Sequence, residues 1–221
     1  MTTSNSRDFN LDVAEVIEEA YERCGLEMRT GYDAKTARRS LNLMFAEWAN
    51  RGLNLWTVKQ GTITLTQGQA QETLLDDVVD LLDVVLRRNN TDFTVERISR
   101  GDYSTFPNKT TQGRPSQYWF DRQVAPIINL WSVPENSTDQ LVYYYVRRIQ
   151  DADTLVNTTD MPFRFFPCMV AGLAYYISMK RAPERLSMLK SVYEEEFQRA
   201  ADEDSGRTSL KLQPSSSYLR V

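Results

Sequence analysis

Leu41-Asn42-Leu43-Met44-Phe45-Ala46-Glu47-Trp48-Ala49-Asn50-Arg51-Gly52-Leu53-Asn54-Leu55-Trp56 reads as an amphipathic helix that stops at a glycine and enters an apolar turn carrying a second tryptophan. Traced backward in the same phase, Ala37, Leu41, Met44, Phe45 and Trp48 form one stripe at the three-and-four spacing of a buried helix face. Asp33 is the expected N-cap and Gly52 the stop. Another helix precedes this one, from Leu11 to about Cys24. Val13, Val16, Ile17, Ala20, Tyr21 and Cys24 line its inner side, and Glu15, Glu18, Glu19 and Glu22 its outer side. Asn10 is the expected cap there and Gly25 the stop. Two helices joined by a short loop pack antiparallel, each burying the other's stripe.

Beyond Trp56 the period changes from helix to strand. Thr62-Ile63-Thr64-Leu65-Thr66 alternates polar and apolar. Leu81–Leu86 is ambiguous on pattern, but its β-branched content and the turn Asn89-Asn90-Thr91-Asp92 behind it favour a strand, with Phe93–Ile98 expected to pair back as a hairpin. Arg100–Phe106 reads as a short helix or a turn. Pro115–Arg122 and Ile127–Trp131 read as strands, the second bracketed by Pro126 and Pro134. Leu141–Ile149 is the most strand-like segment. Helical signals return at Asp160-Met161-Pro162, an aspartate cap followed by a first-turn proline. The helix beyond it (Phe163, Phe166, Met169, Val170, Leu173, Ala174, Ile177) is apolar around most of its circumference and is expected at the centre of the body. Ala182-Pro183-Glu184 breaks it. A last helix follows, with Leu186, Leu189, Val192, Tyr193 and Phe197 inward and Glu194, Glu195 and Glu196 outward. The fold class is therefore α+β: a four-helix body with an inserted antiparallel β region. Residues 1–56 and 160–204 supply the body, 57–159 the β region, and 205–221 an extended tail of small and polar residues.

Composition narrows the chemistry. With 41% hydrophobic and 25% charged residues over 221 positions, the chain has the make-up of a globular protein with a real core. Twenty-six Lys and Arg against thirty Asp and Glu leave a net charge of -4, opposite in sign to a dedicated nucleic-acid binder. There is no histidine, which removes the usual general base, the usual metal ligand and every Ser-His or Cys-His nucleophile pair. Cys24 and Cys168 both lie on apolar helical segments and are expected as buried thiols. No phosphate-binding glycine loop occurs, and two cysteines without histidine cannot make an ordinary zinc site. No catalytic, cofactor or metal residues are assigned. Asp202-Glu203-Asp204 lacks the alternating ligands of a calcium loop. No signal-peptide core and no apolar run of membrane-spanning length is present, so a cytoplasm-like setting without membrane is expected.

Two alternatives stay open on the residues alone. Asp76-Asp77, or Glu15 with Glu19, could serve a carboxylate-based hydrolase. The doublets Arg87-Arg88, Arg147-Arg148 and Lys180-Arg181 near Tyr143-Tyr144-Tyr145 and Tyr175-Tyr176 could build a single-stranded nucleic-acid platform. Trp119 and Trp131, on β segments, are core residues or subunit contacts.

The order of several blocks carries a resemblance. Leu41-Asn42-x-Met44 with Trp48, Gly52 and Leu55-Trp56 is followed by Arg97-Ile98-Ser99-Arg100-x-Asp102-Tyr103 and Gly113-Arg114-Pro115-x-x-Tyr118-Trp119-x-Asp121-Arg122. Ile128-x-Leu130-Trp131-x-Val133-Pro134 comes next, then Arg147-Arg148-Ile149-x-Asp151, Asp160-x-Pro162 and Leu173-Ala174-Tyr175-Tyr176. From about residue 9 to 205 the chain resembles the head-to-tail adaptors, or tail accessory factors, of short-tailed bacteriophages. Ser132 departs from the proline expected between Trp131 and Val133. The resemblance implies a non-enzymatic virion protein of the neck, assembled in the host cytoplasm. It implies a homo-oligomeric ring of twelve copies under the portal protein, joining the capsid vertex to a tail tube or nozzle protein. DNA would pass through the ring and be retained without sequence-specific binding. It also implies that the C-terminal tail reaches the portal and that the β region contacts neighbouring subunits or the tail. On that basis Arg207, Leu210, Lys211, Leu212, Pro214, Tyr218, Leu219 and Arg220 are candidate portal-binding residues. Trp119, Trp131 and Arg122 are candidate interface residues. The tail suits the role: it carries spaced apolar side chains and no acid after Asp204, a composition that can order on an acidic groove.

Overall fold

Capping contacts set the helix starts. In the computed structural model, which describes residues 5, 11–52 and 55–204, α1 (Val13–Arg23) begins at Asp12. The Asp12 carboxylate accepts from the Glu15 amide at 2.8 Å, and Glu15 returns a carboxylate to the Asp12 amide at 3.1 Å. Asp12 thus takes the capping place expected of Asn10, which lies outside the described residues. In α2 (Gly31–Arg51) the cap is Thr30 rather than Asp33. Asp33 sits three positions in and closes the box by accepting from the Thr30 amide at 3.1 Å. Both residues are polar, and sequence marks the first turn without saying which half of the box each supplies. Gly25 (φ +68°) and Gly52 (φ +147°) end the two helices in backbone conformations that favour glycine.

α4 (Phe166–Arg181) and α5 (Leu186–Asp204) complete the body. The buried stripes of α1 and α2 join Met169, Leu173 and Ile177 of α4 and Leu189, Tyr193 and Ala200 of α5 in one apolar cluster. As expected, α4 is central, with contacts to α1, α2 and α5. Gly172 permits that closeness: a Cβ there would lie 2.4 Å from Met44 Sδ and 2.8 Å from the Tyr193 ring. Trp48 is buried among Phe45, Phe165 and Phe197, and its indole N–H donates to the Tyr193 hydroxyl at 2.7 Å. That hydroxyl in turn donates to Glu47 at 2.8 Å. Arg51 pairs with Glu47 and Glu194 and covers the Phe197 ring at 4.3 Å.

Three expectations for this half need correction. Asp160 does not cap a helix. Its carboxylate takes the buried Arg147 guanidinium, and a 3-10 turn (Phe163–Phe165) leads into α4 instead. A charge at the helix body–sheet junction needs that partner more than a helix end does. Val192 is 39% exposed rather than inward, and Glu196 is half-buried because it lies beside the buried stripe.

The middle of the chain is β. β1 (Val58–Thr64), β3 (Val78–Arg88), β4 (Thr91–Thr94) and β10 (Gln140–Arg147) form one antiparallel sheet in the order β1-β10-β3-β4. β2 (Gln71–Thr73), β5 (Glu96–Arg97), β7 (Gln117–Asp121) and β8 (Ile127–Trp131) form a second, ordered β2-β8-β7-β5. A short parallel pair joins β6 (Gln112–Gly113) to β9 (Val133–Pro134). The hairpin expected over Phe93–Ile98 is half right. β4 returns along β3, but at Val95 the chain crosses to the other sheet, where β5 runs parallel to β7. Val95 is itself buried, so its apolar side chain bridges the crossing. Buried residues of both sheets, including Leu81, Leu86, Tyr118, Ile128, Leu141 and Tyr143, form one cluster separate from that of the helices. Ile149, Ala152 and Leu155 pack instead with the helical cluster. The fold is α+β, with four helices in the body and the short α3 (Arg100–Thr105) beside the second sheet.

Glu72 on β2 is a buried carboxylate with one oxygen unpartnered, and burial raises its pKa above the ordinary glutamate value. Between the unfolded and the raised folded pKa the native state holds more protons, so stability falls as pH rises through that window. Glu72→Gln is therefore expected to raise the urea midpoint at pH 7 and leave it unchanged at pH 4. An equal effect at both pH values would show that burial of charge is not the cause.

Candidate interaction surfaces

Trp119 and Trp131 lie on neighbouring strands of the second sheet, both half-buried on its outer side. They are not bare. α3 starts at a Ser99–Asp102 capping box and brings Tyr103 to 5.8 Å from the Trp119 ring and Arg100 to 6.0 Å. Phe106 stacks on Trp131 at 4.3 Å, and the Trp131 indole donates to the Asn108 carbonyl at 3.2 Å. The two tryptophans therefore hold α3 and the Phe106–Asn108 loop to the sheet, and each keeps a partly exposed rim. Arg122 is more open, at 57% side-chain exposure, with Asp80 3.7 Å away. The aromatic cover from Tyr103 and Phe106 was not legible in the pattern, because Arg100–Phe106 reads equally as a turn. Ser132, in place of the expected proline, follows a cis peptide bond. The candidate portal-binding residues from Arg207 to Arg220 all lie outside the described residues.

Most of the residues weighed for chemistry have structural partners. Glu15 closes the α1 cap and Glu19 pairs with Arg23 at 2.9 Å. Asp76 is exposed, whereas Asp77 is half-buried beside Tyr145, whose hydroxyl pKa burial raises. Of the basic doublets, Arg87 meets Asp92, Arg88 meets Asp139 and Glu135, Arg147 meets Asp160 and Arg181 meets Asp33. Cys24 and Cys168 are free and buried, and burial pushes both thiols up, away from the reactive thiolate. Among the described residues no group of three or more Cys, Asp or Glu is placed to hold a metal ion, and no helix is long and apolar enough to cross a membrane.

Residues 11–217 match the family model described as SU10 adaptor protein, which spans both the helical body and the β region. The chain belongs to the SU10 adaptor protein family. This is a family of phage structural adaptors, so the role is structural and the partners are other phage head and tail components. No individual curated protein matches the chain.

Proposed function

We propose that this SU10 adaptor forms a ring of twelve copies beneath the portal, joins the capsid vertex to the tail tube or nozzle and helps retain packaged DNA. The helical body, residues 1–56 and 160–204, is the ring wall. The β region, 57–159, meets neighbouring subunits or the tail through the rims of Trp119 and Trp131 and through Arg122. The tail, 205–221, engages the portal. The protein is not an enzyme, takes no cofactor, and works in the virion neck after assembly in the host cytoplasm. The observation that carries this reading is the family match across 207 of 221 residues (11 to 217), running through both apolar clusters. Supporting it, Glu15, Glu19, Arg87, Arg88 and Arg147, among the residues that could serve hydrolysis or strand binding, are engaged in a helix cap or in ion pairs.

Native mass measurement of the protein alone, and mixed with the portal assembly of the same virion, tests it. The expected outcome is a small species alone and a large ring-sized complex with portal. A mass indifferent to portal would overturn the reading.

A further inference from the structure

Two helix faces carry charges that no other described residue answers with an ion pair. On α1, Glu18 and Glu22 stand one turn apart on the exposed side. On α2, Lys35 and Arg39 stand one turn apart, also exposed. Among the described residues none of the four has an ion pair, whereas neighbouring Glu19 and Arg181 do. Like charges one turn apart repel each other, so each pair is mildly unfavourable until an opposite charge arrives. From Ala34 to Ala46 α2 carries no acid at all, and burial lowers the pKa of Lys180 on α4, which the charge of Arg39 lowers further. On the same stripe as Lys35 and Arg39 lie Tyr32 and Leu43, 68% and 58% exposed. Exposed apolar side chains beside unpaired cations have the make-up of a contact surface.

We infer that the α2 face, Tyr32, Lys35, Arg39 and Leu43, docks against the α1 face, Glu18 and Glu22, of a second copy of this chain. The two pairs match in sign and in spacing, since residues one turn apart are separated by the same distance on any helix. Because the two faces differ, the contact is head-to-tail, the kind that builds a ring when its rotation closes. The inference rests on the ring reading above and specifies its lateral contact.

The test uses the full chain with the portal assembly of the same virion, read by native mass. Lys35→Glu with Arg39→Glu, and separately Glu18→Lys with Glu22→Lys, are expected to prevent ring completion or to require about tenfold more protein or greater. The variant carrying all four reversals is expected to regain the ring, because opposite charges face each other again. All four sites are exposed, so thermal melts should match the unaltered protein. Normal rings from either double variant, or no recovery in the fourfold variant, would overturn this contact while leaving the ring reading intact. Failure of the unaltered protein to form rings would overturn both. Retention of a DNA duplex that is lost only in the Lys35→Glu, Arg39→Glu variant, with rings unaffected, would reassign the face to phosphate.

Discussion

Removal of residues 207–221 is expected to abolish portal binding while the thermal melt of the remaining chain stays where it was. Among the described residues, which end at Asp204, Ala200 is the last buried member of either apolar cluster. The end of α5 is held separately. Asp204 accepts from the Leu55 amide at 2.8 Å and pairs with Arg164, contacts that the truncation leaves in place. What is lost is a segment with Arg207, Lys211 and Arg220, no acid, and apolar residues at Leu210, Leu212, Tyr218 and Leu219. Segments of this make-up gain their binding energy on ordering against a groove, so removal costs the whole interaction rather than a fraction. Native mass with portal reads the binding, and circular dichroism reads the fold. Portal binding that survives truncation would move the contact to the ordered body.

Trp48→Ala is expected to lose about 3–5 kcal/mol of stability, the range for emptying a buried aromatic site. Trp48 is only 1% exposed and touches three aromatic rings contributed by α2, α5 and the turn before α4, so the cavity would open where these elements meet. The Tyr193 hydroxyl would also lose its indole donor while remaining deep in the body. For a chain of this size the melting temperature should fall by about 10 °C or more. Trp48→Phe, which keeps a six-membered aromatic ring but loses the rest of the indole with its N–H, is expected to lose less than half as much. Urea unfolding at constant slope checks both. A loss under about 1 kcal/mol for the alanine variant would show that the neighbours collapse into the space.

Much of this was legible in the chain. The α1 stripe from Val13 to Cys24 is buried at every position named, and so is the α2 stripe from Ala37 to Trp48. A helix period writes its inner face directly into residue spacing. The strands over 81–86, 117–121, 127–131 and 141–147 were readable from their β-branched and aromatic content and the turn and proline signals around them. Pairing between distant strands was not. β10 lies between β1 and β3, a neighbour relation across some eighty residues that no local pattern encodes. The crossing at Val95 was likewise hidden, because a buried valine suits a hairpin and a sheet change equally well. The role of Asp160 was misread because an aspartate before Met-Pro carries the local signature of a cap, while its partner Arg147 is brought near only by the folded sheet end.

The interaction surfaces divide along the same line. Tryptophans on β segments could be singled out early, yet only the fold revealed that Tyr103 and Phe106 cover them. The acid-free run over 34–46 was present in the sequence but carried no meaning until the unpaired Lys35 and Arg39 were set beside Glu18 and Glu22. By itself the sequence determined the helical body, the β content, the lack of a histidine- or zinc-based site and the resemblance, because periodicity, composition and block order are local or additive. Only the tertiary structure decided the sheet order, the charge partners and the faces left open, because each depends on which distant residues folding brings together.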